Sequence, residues 1–318
     1  MRLRPFVHRA ASAAGLSRLA RHAFRARPLV VCYHGVCNSA PDVPDLEGLQ
    51  VPRELFEEQM RFLLRHYQPV SLQQVRDHLA DGSEIPARAV LVTFDDGYRN
   101  VVHNALPFLR RLGVPCTIFL VVGLVGSQRS IWTAELEWWR RRDPDLRQLK
   151  RRLKAASQSM RKDALRTLLP DDSRLPTCDS SLLTWDEARP WVGPDVAFGS
   201  HGLTHEALTT CDDASLEREL ELSRHRIQAE LSIPSDALAY PNGDHSPRIV
   251  EAAVRCGYSL AFTTVSRHLG VDDTRFTVPR ILVGREDRGF VLASRLSGWA
   301  EWTKRGQLGL GTRTAAEG

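Results

Sequence analysis

Short apolar runs recur along the chain, about seven of them, and most stop on a polar residue or a glycine. They cover Leu29–His34, Ala89–Phe94, Cys116–Val122, Val196–Ser200, Ala237–Tyr240, Ser259–Thr264 and Thr277–Val283. Each is brief, rich in β-branched or aromatic residues, and several are framed by Pro or Gly, which is the pattern of strands buried on both faces. Between them apolar residues fall three and four apart. A helix opens at Pro52 and carries Leu55, Met60, Phe62 and Leu63; others are predicted over Leu72–Leu79, Val101–Leu112, Asp186–Trp191, 212–231 and Pro247–Cys256, and a last one runs to about Leu296. Buried strands alternating with helices predict an α/β fold, a distorted parallel (β/α) barrel of about seven strands. Polar residues collect at the strands' C-terminal ends: His34, Asp95 and Asp96, Ser200 and His201, Tyr240, and Arg280. A barrel of this kind builds its site there. No Gly-x-Gly-x-x-Gly follows the first strand, which argues against a dinucleotide.

Three stretches break the alternation. Residues 1–28 hold seven arginines, no acidic residue, and apolar residues at helical spacing. They lack the uninterrupted apolar core of a secretory signal or a membrane span. A basic amphipathic extension of this type suits an anionic membrane surface, and also suits an organellar leader or an inert tail. The first reading predicts a cytoplasmic protein with peripheral contact to the inner face of a membrane through residues 1–27. Residues 127–182 carry Trp132, Trp138 and Trp139 and then a dense basic run, predicted as one or two polar helices inserted in the barrel without a core of their own. Such a run is either a solvated face or a surface for acidic glycolipid or phospholipid. Residues 299–318 form a Gly- and Thr-rich tail, predicted to be disordered, so the barrel occupies 29–298.

Composition adds little beyond this frame. Hydrophobic content is 42%, charged content 25%, and net charge +5, all ordinary for a soluble globular chain. Nothing resembling a nucleic-acid motif accompanies the basic run, so no nucleic-acid partner is expected. Six cysteines lack any Cys-x-x-Cys spacing, which argues against a zinc ribbon or a dense disulfide framework.

Candidate chemistry begins where the run Val90–Phe94 stops on Asp95, Asp96 and Gly97. In a regular strand the two carboxylates would face opposite ways; leaving the strand at Gly97 lets both enter one cavity. Two anions that close need a cation, a shared proton or water. The same residues suit a plain turn, and the run alone does not choose. A second strand end carries Ser200, His201, Gly202, Leu203, Thr204 and His205. If the chain turns helical there, residues four apart put both imidazoles on one side. Two neutral imidazoles and one carboxylate make a three-ligand set for a divalent metal with positions left open for water and substrate.

Thr93-Phe94-Asp95-Asp96-Gly97 with Ser200 to His205 resembles the polysaccharide deacetylases of the NodB-homology type, carbohydrate esterase family 4, over about Leu29–Leu296. The resemblance implies a metal-dependent hydrolase that removes N-acetyl groups from the sugars of an exopolysaccharide or lipid-linked glycan precursor. By position it implies Asp96, His201 and His205 as ligands of a divalent ion, zinc first with cobalt, nickel or iron as alternatives, and Asp95 as general base. Asn242, in Tyr240-Pro241-Asn242-Gly243, takes the place of the backbone N–H donor to the oxyanion. Two departures stand out. The family's arginine beside the base is Ala239 here, and Arg280 is the candidate replacement from across the barrel. The family's C-terminal histidine is also absent from Thr277–Val283. Tyr33-His34 resembles a subgroup in which an N-terminal histidine takes that role as general acid, which works because first and last strands of a closed barrel are neighbours. His245 and Trp132 are further candidates for lining the cleft. Two other readings remain: a different amide or imide hydrolase on the same barrel, and a carbohydrate-binding protein that has lost catalysis.

Overall fold

A computed structural model describes residues 15–38, 45–127, 129–170, 181–299 and 301. Part of the basic extension (1–14), the insertion's 171–180 and the tail from 302 lie outside the described residues.

The apolar runs become strands. β1 (Leu29–Tyr33), β5 (Ala89–Phe94), β6 (Cys116–Leu120), β7 (Val196–Ser200), β8 (Ala237–Ala239), β9 (Leu260–Phe262) and β10 (Ile281–Leu282) form one parallel sheet in the order β10-β1-β5-β6-β7-β8-β9. Three short strands complete the set: β2 (Gly35–Cys37) and β3 (Gln50–Pro52) pair with each other, and β4 (Gln68–Pro69) adds to β5. The sheet curls, because Val278 bridges Phe262 while Ile281 and Leu282 pair with Val31 and Cys32. The predicted strand Thr277–Val283 is therefore regular only at Ile281–Leu282. Its first half serves β9 and its second half β1, so no single neighbour supports the whole run. This crossing places Arg280 between the two ends of the curled sheet.

The helices are α1 (Leu16–Ala23), α2 (Arg53–His66), α3 (Leu72–Asp81), α4 (Leu106–Leu112), α5 (Trp132–Trp139), α6 (Leu146–Ala155), α7 (Gln158–Leu168), α8 (Trp185–Ala188), α9 (Asp213–Leu231), α10 (Pro247–Arg255) and α11 (Gly289–Leu296). Their starts follow the caps: Ser71 with Gln74 forms a capping box for α3, and Asp212 accepts from the Ser215 N–H for α9. The helix predicted over Val101–Leu112 begins instead as a wide π turn, Val101–Ala105. Pro107 has no N–H to continue the regular ladder.

Outside the sheet, Tyr33, Phe56, Phe94 and Phe108 stack as one aromatic group beneath α2 and α4. Inside it, Val30, Leu91, Phe119 and Phe262 fill the lower barrel. Gly199 on β7 gives Phe119 room: a Cβ there would lie 2.7 Å from that ring and 2.8 Å from the Ala237 carbonyl oxygen.

The insertion differs from its prediction. Among the described residues it holds three helices, α5 to α7, and these bury Leu136, Leu146, Leu153 and Leu169 together, a small core of their own. Leu146 and Leu153 sit seven apart on one face of α6, so the basic run is amphipathic rather than uniformly polar. The end of the basic extension also packs. Ala20 and Phe24 are buried, the Phe24 ring lies 5.1 Å from that of His268, and the Arg25 carbonyl accepts from the Arg88 N–H just before β5. α1 thus sits at the strand starts, away from the ends that carry the polar residues. No helix among the described residues is long and apolar enough to cross a membrane.

Gly199→Ala is expected to destabilise the fold by about 1–3 kcal/mol through overpacking against Phe119. A urea midpoint equal to that of the unsubstituted protein would show that this close approach does not matter.

Candidate active site

Asp95 leaves β5 with its N–H on the Tyr33 carbonyl at 2.9 Å. The next two residues are both left-handed, Asp96 at φ 71° and Gly97 at φ 78°. That conformation is uncommon for a residue with a Cβ, and it brings the Asp96 carboxylate round to the same cavity as that of Asp95. The plain-turn alternative for this stretch is a turn indeed, but one that aims two buried acids at one point.

Arg280 answers the first acid. It is fully buried, and its Nη1 and Nη2 each donate to one Asp95 oxygen at 2.7 Å. Nε donates to the Thr263 carbonyl at 2.9 Å, and the guanidinium lies over the rings of Phe119 and Phe262. The Cys32 thiol adds a contact to Asp95 Oδ2 at 3.3 Å. Burial by itself would push the Asp95 carboxyl up, but Arg280 outweighs it and holds the group well below the usual carboxylate range. Asp95 is a carboxylate throughout the neutral range.

The second acid has no such partner. Asp96 Oδ1 is buried without a hydrogen bond, 3.5 Å from His201 Nε2 and 3.4 Å from His205 Nε2. Burial first, and then the charge of Asp95, push this carboxyl up to about 8. His201 Nδ1 lies 2.7 Å from the Ala239 carbonyl, which can only accept, so the proton is on Nδ1 and the Nε2 lone pair faces Asp96. Burial lowers the pKa of both histidines, which keeps them neutral. One ligand atom from each of Asp96, His201 and His205 lies within 4.8 Å of the others. An orphaned carboxylate oxygen and two neutral imidazoles converging on one point are suited to a divalent metal.

The two histidines do not converge through a helical turn. His201 to His205 is an irregular loop with Gly202 at φ 80° and His205 at φ 61°. Glu219, projecting from α9, accepts the N–H groups of Leu203 at 2.7 Å and Thr204 at 3.0 Å and also holds the Thr204 hydroxyl. This buried carboxylate satisfies the backbone groups that a helix would have paired internally. The rings end 5.0 Å apart, inclined at 66°.

The cavity, about 210 Å³, collects six of the sequence candidates: His34, Asp95, Asp96, His201, His205 and Asn242. His34 follows β1 and stands with Nε2 4.0 Å from Asp96 Oδ2, and burial lowers its pKa to about 4. Asn242 has φ 60°, and its carbonyl accepts from Thr264 Oγ1 at 3.0 Å. Arg280 lies beneath the cavity and reaches it only through Asp95. His245 is turned aside, stacked on Tyr240 at 5.4 Å, and Trp132 stays within the insertion under the Arg161 guanidinium. Neither lines the cleft.

Five charged lining residues went unread in the sequence. Glu137 on α5 and Lys150 and Lys154 on α6 come from the insertion, and Asp45 and Glu47 from the loop before β3. Lys150 joins Glu47 at 2.8 Å and also contacts Glu137. The four-residue spacing of Lys150 and Lys154 was the available signal; Glu47 had none.

A family pattern described as polysaccharide deacetylase matches residues 82–261, more than half of the chain. The chain belongs to the polysaccharide deacetylase family. As a polysaccharide N-deacetylase, the enzyme is a hydrolase of carbon–nitrogen bonds. It is 22% identical over 265 residues to a Staphylococcus aureus poly-β-1,6-N-acetyl-D-glucosamine N-deacetylase, covering 81% of this chain and 75% of that one. It is 32% identical over 88 residues to the Escherichia coli protein of the same name, but spans only 13% of that relative's length. Its fold is similar to that of a de-N-acetylase from Aggregatibacter actinomycetemcomitans, with a TM-score of 0.63 at 18% identity, covering 85% of this chain and all of that one. The parallel curled sheet of this deacetylase is the shared architecture. His34 and Arg280 fall outside the matched segment of the family pattern.

Arg280→Met is expected to cost about 3–5 kcal/mol, because it leaves the Asp95 charge buried without its partner. Urea denaturation of the metal-free protein measures it. Asp95 has a depressed folded pKa, so the stability from this pair is fully present above about pH 4, the unfolded value, and is lost as pH falls below it. A variant with unchanged midpoint and unchanged acid sensitivity would remove Arg280 as the counter-ion.

Proposed function

We propose that this deacetylase removes acetyl groups from N-acetylglucosamine-type units of a polysaccharide or lipid-linked glycan precursor, with Asp95 as general base, His34 as general acid and Asp96, His201 and His205 as metal ligands. The observation that carries the proposal is the asymmetry of the two adjacent acids: Asp95 is clamped as a carboxylate by Arg280, while Asp96 Oδ1 faces two neutral imidazoles and has no hydrogen-bond partner. One acid is thus available to accept a proton and the other to take a cation. The substrate class is supported by the named relatives, and the segment matched by the family pattern includes both acids and both histidines.

The donor set, two nitrogens and one oxygen, suits zinc, with cobalt, nickel and iron as alternatives. When bound, such an ion supplies Lewis-acid polarisation of the acetyl carbonyl and of the attacking water. The protein's own groups handle the protons. Asp95 takes one proton from water as its oxygen attacks the acetyl carbon, and Arg280 keeps that carboxylate oriented. The Asn242 backbone N–H donates to the carbonyl oxygen as charge develops on it. The bond from the carbonyl carbon to nitrogen then breaks, and His34 delivers a proton to the departing amine. Since burial leaves His34 neutral near pH 7, that proton is the one Asp95 took from water, passed on to His34 so that Asp95 returns to carboxylate. Acetate and a free amino sugar result.

Membership of the subgroup with an N-terminal Tyr-His is part of the same proposal. Its support is the pairing of β1 with β10, which puts His34 beside the end of the last strand, where Thr277–Val283 has no histidine. Cytoplasmic residence with peripheral contact through residues 1–27 is proposed on the basic pattern of that segment alone.

Acetate release from N-acetylglucosamine oligosaccharides is the assay. Chelation should abolish it and added zinc restore it. Asp95→Asn should lower the rate about 10²–10⁴-fold with bound metal retained, and His34→Ala about 10²-fold or more. Release that persists after chelation and in Asp95→Asn would sink the proposal.

A further inference from the structure

The basic face of α6 has no role in the chemistry above. Arg147, Lys150, Arg151 and Lys154 are spaced three, four and seven residues from the first, so they share one face of the helix. The neighbouring face carries Leu146 and Leu153 into the insertion's leucine cluster, which fixes the helix's rotation. The four basic side chains, with Leu46 and Glu47, line a hollow of about 270 Å³. This hollow shares Glu47, Lys150 and Lys154 with the active-site cavity, so the two lie side by side with these side chains between them.

A basic helix face is ordinarily solvated. This one is concave and adjoins the candidate active-site cavity, and its charges are unevenly matched. Lys150 is taken up by Glu137 and Glu47, and Lys154 reaches Glu47 at 3.4 Å. Arg147 and Arg151 are exposed and have no ion-pair partner among the described residues. With Glu47 and Glu137 set against the two lysines, the two guanidinium charges stay uncompensated among the described residues. Guanidinium forks suit phosphate oxygens, and a diphosphate diester carries about two negative charges, one per phosphate. A single carboxylate would leave one fork unused.

Resting on the deacetylase reading, we propose that this hollow binds the diphosphate of a diphosphate-linked N-acetylated sugar whose acetamido group occupies the adjoining cavity. The substrate is then a glycan unit still joined to its carrier, and the insertion confers that preference. Lys150 and Lys154 hold the wall that both spaces share; Arg147 and Arg151 supply the unmatched charge.

The test uses the full chain in two states. In the metal-free protein, titration calorimetry compares uridine diphosphate N-acetylglucosamine with free N-acetylglucosamine. The diphosphate sugar is expected to bind at least about tenfold more tightly, with Arg147→Gln/Arg151→Gln losing about tenfold. The preference should also shrink as salt is raised. In the metal-loaded enzyme, the ratio of acetate release from diphosphate-linked over uncharged acceptors is expected to fall by a similar factor in the double variant. Nucleotide-linked and short-polyprenyl-linked diphosphate acceptors distinguish the two sources of the anion. Equal affinity for charged and uncharged sugars, or a preference that survives both substitutions, overturns the proposal. Diphosphate binding that depends on the two arginines while no acceptor releases acetate would uphold the anion site and remove the deacetylase reading instead.

Discussion

A guanidinium with no exposure to solvent, Arg280, has both terminal nitrogens on a carboxylate that is also buried, and the rest of the site depends on this contact. Neither charge is tolerable there alone, since stripping water from an isolated ion costs several kcal/mol even after relaxation. The pair therefore ties the stretch between β9 and β10 to the end of β5, across the closing seam of the curled sheet. Closure of the barrel and ionisation of Asp95 are one event. Phe119 and Phe262 pack against the guanidinium, and Gly199 keeps space for the Phe119 ring, so apolar packing below sets how accurately the carboxylate is held above.

Asp96 shows the opposite arrangement one residue later. Its neighbour's charge and its own burial raise the cost of ionisation, and no arginine offsets it. A carboxylate in that state, beside the Nε2 atoms of two neutral imidazoles, gains most from a cation. The scaffold maintains the geometry by satisfying groups behind the site: the Ala239 carbonyl fixes the His201 tautomer, and Glu219 holds the loop that delivers His205. Burial keeps both imidazoles neutral, which is also the form that binds a metal.

The insertion adds a wall rather than a separate unit. Glu137, Lys150 and Lys154 line the cavity, and Arg161 from α7 is buried against Glu206, the residue that follows His205. A basic run that a sequence presents as a solvated face thus becomes part of the substrate's surroundings, because its leucines turn one side of α6 inward and leave the cations beside the cavity mouth.

Much of this was legible in the chain itself. Short apolar runs alternating with helical spacing determine a parallel α/β sheet, because strands covered on both faces must be apolar throughout. Asp95-Asp96-Gly97 and His201 to His205 already mark the two polar clusters that share one cavity, since a barrel gathers the ends of its strands at one face. The tertiary structure alone decided the remainder. Arg280 lies 185 residues from Asp95 in sequence, and only the crossing of the last strand from β9 to β1 brings them together. The loop of His201 to His205 is set by Glu219 on a distant helix rather than by its own spacing. Glu47 enters the cavity wall from a loop with no pattern at all. Periodicity reports which way a side chain faces along its own element, but not which other element will meet it there.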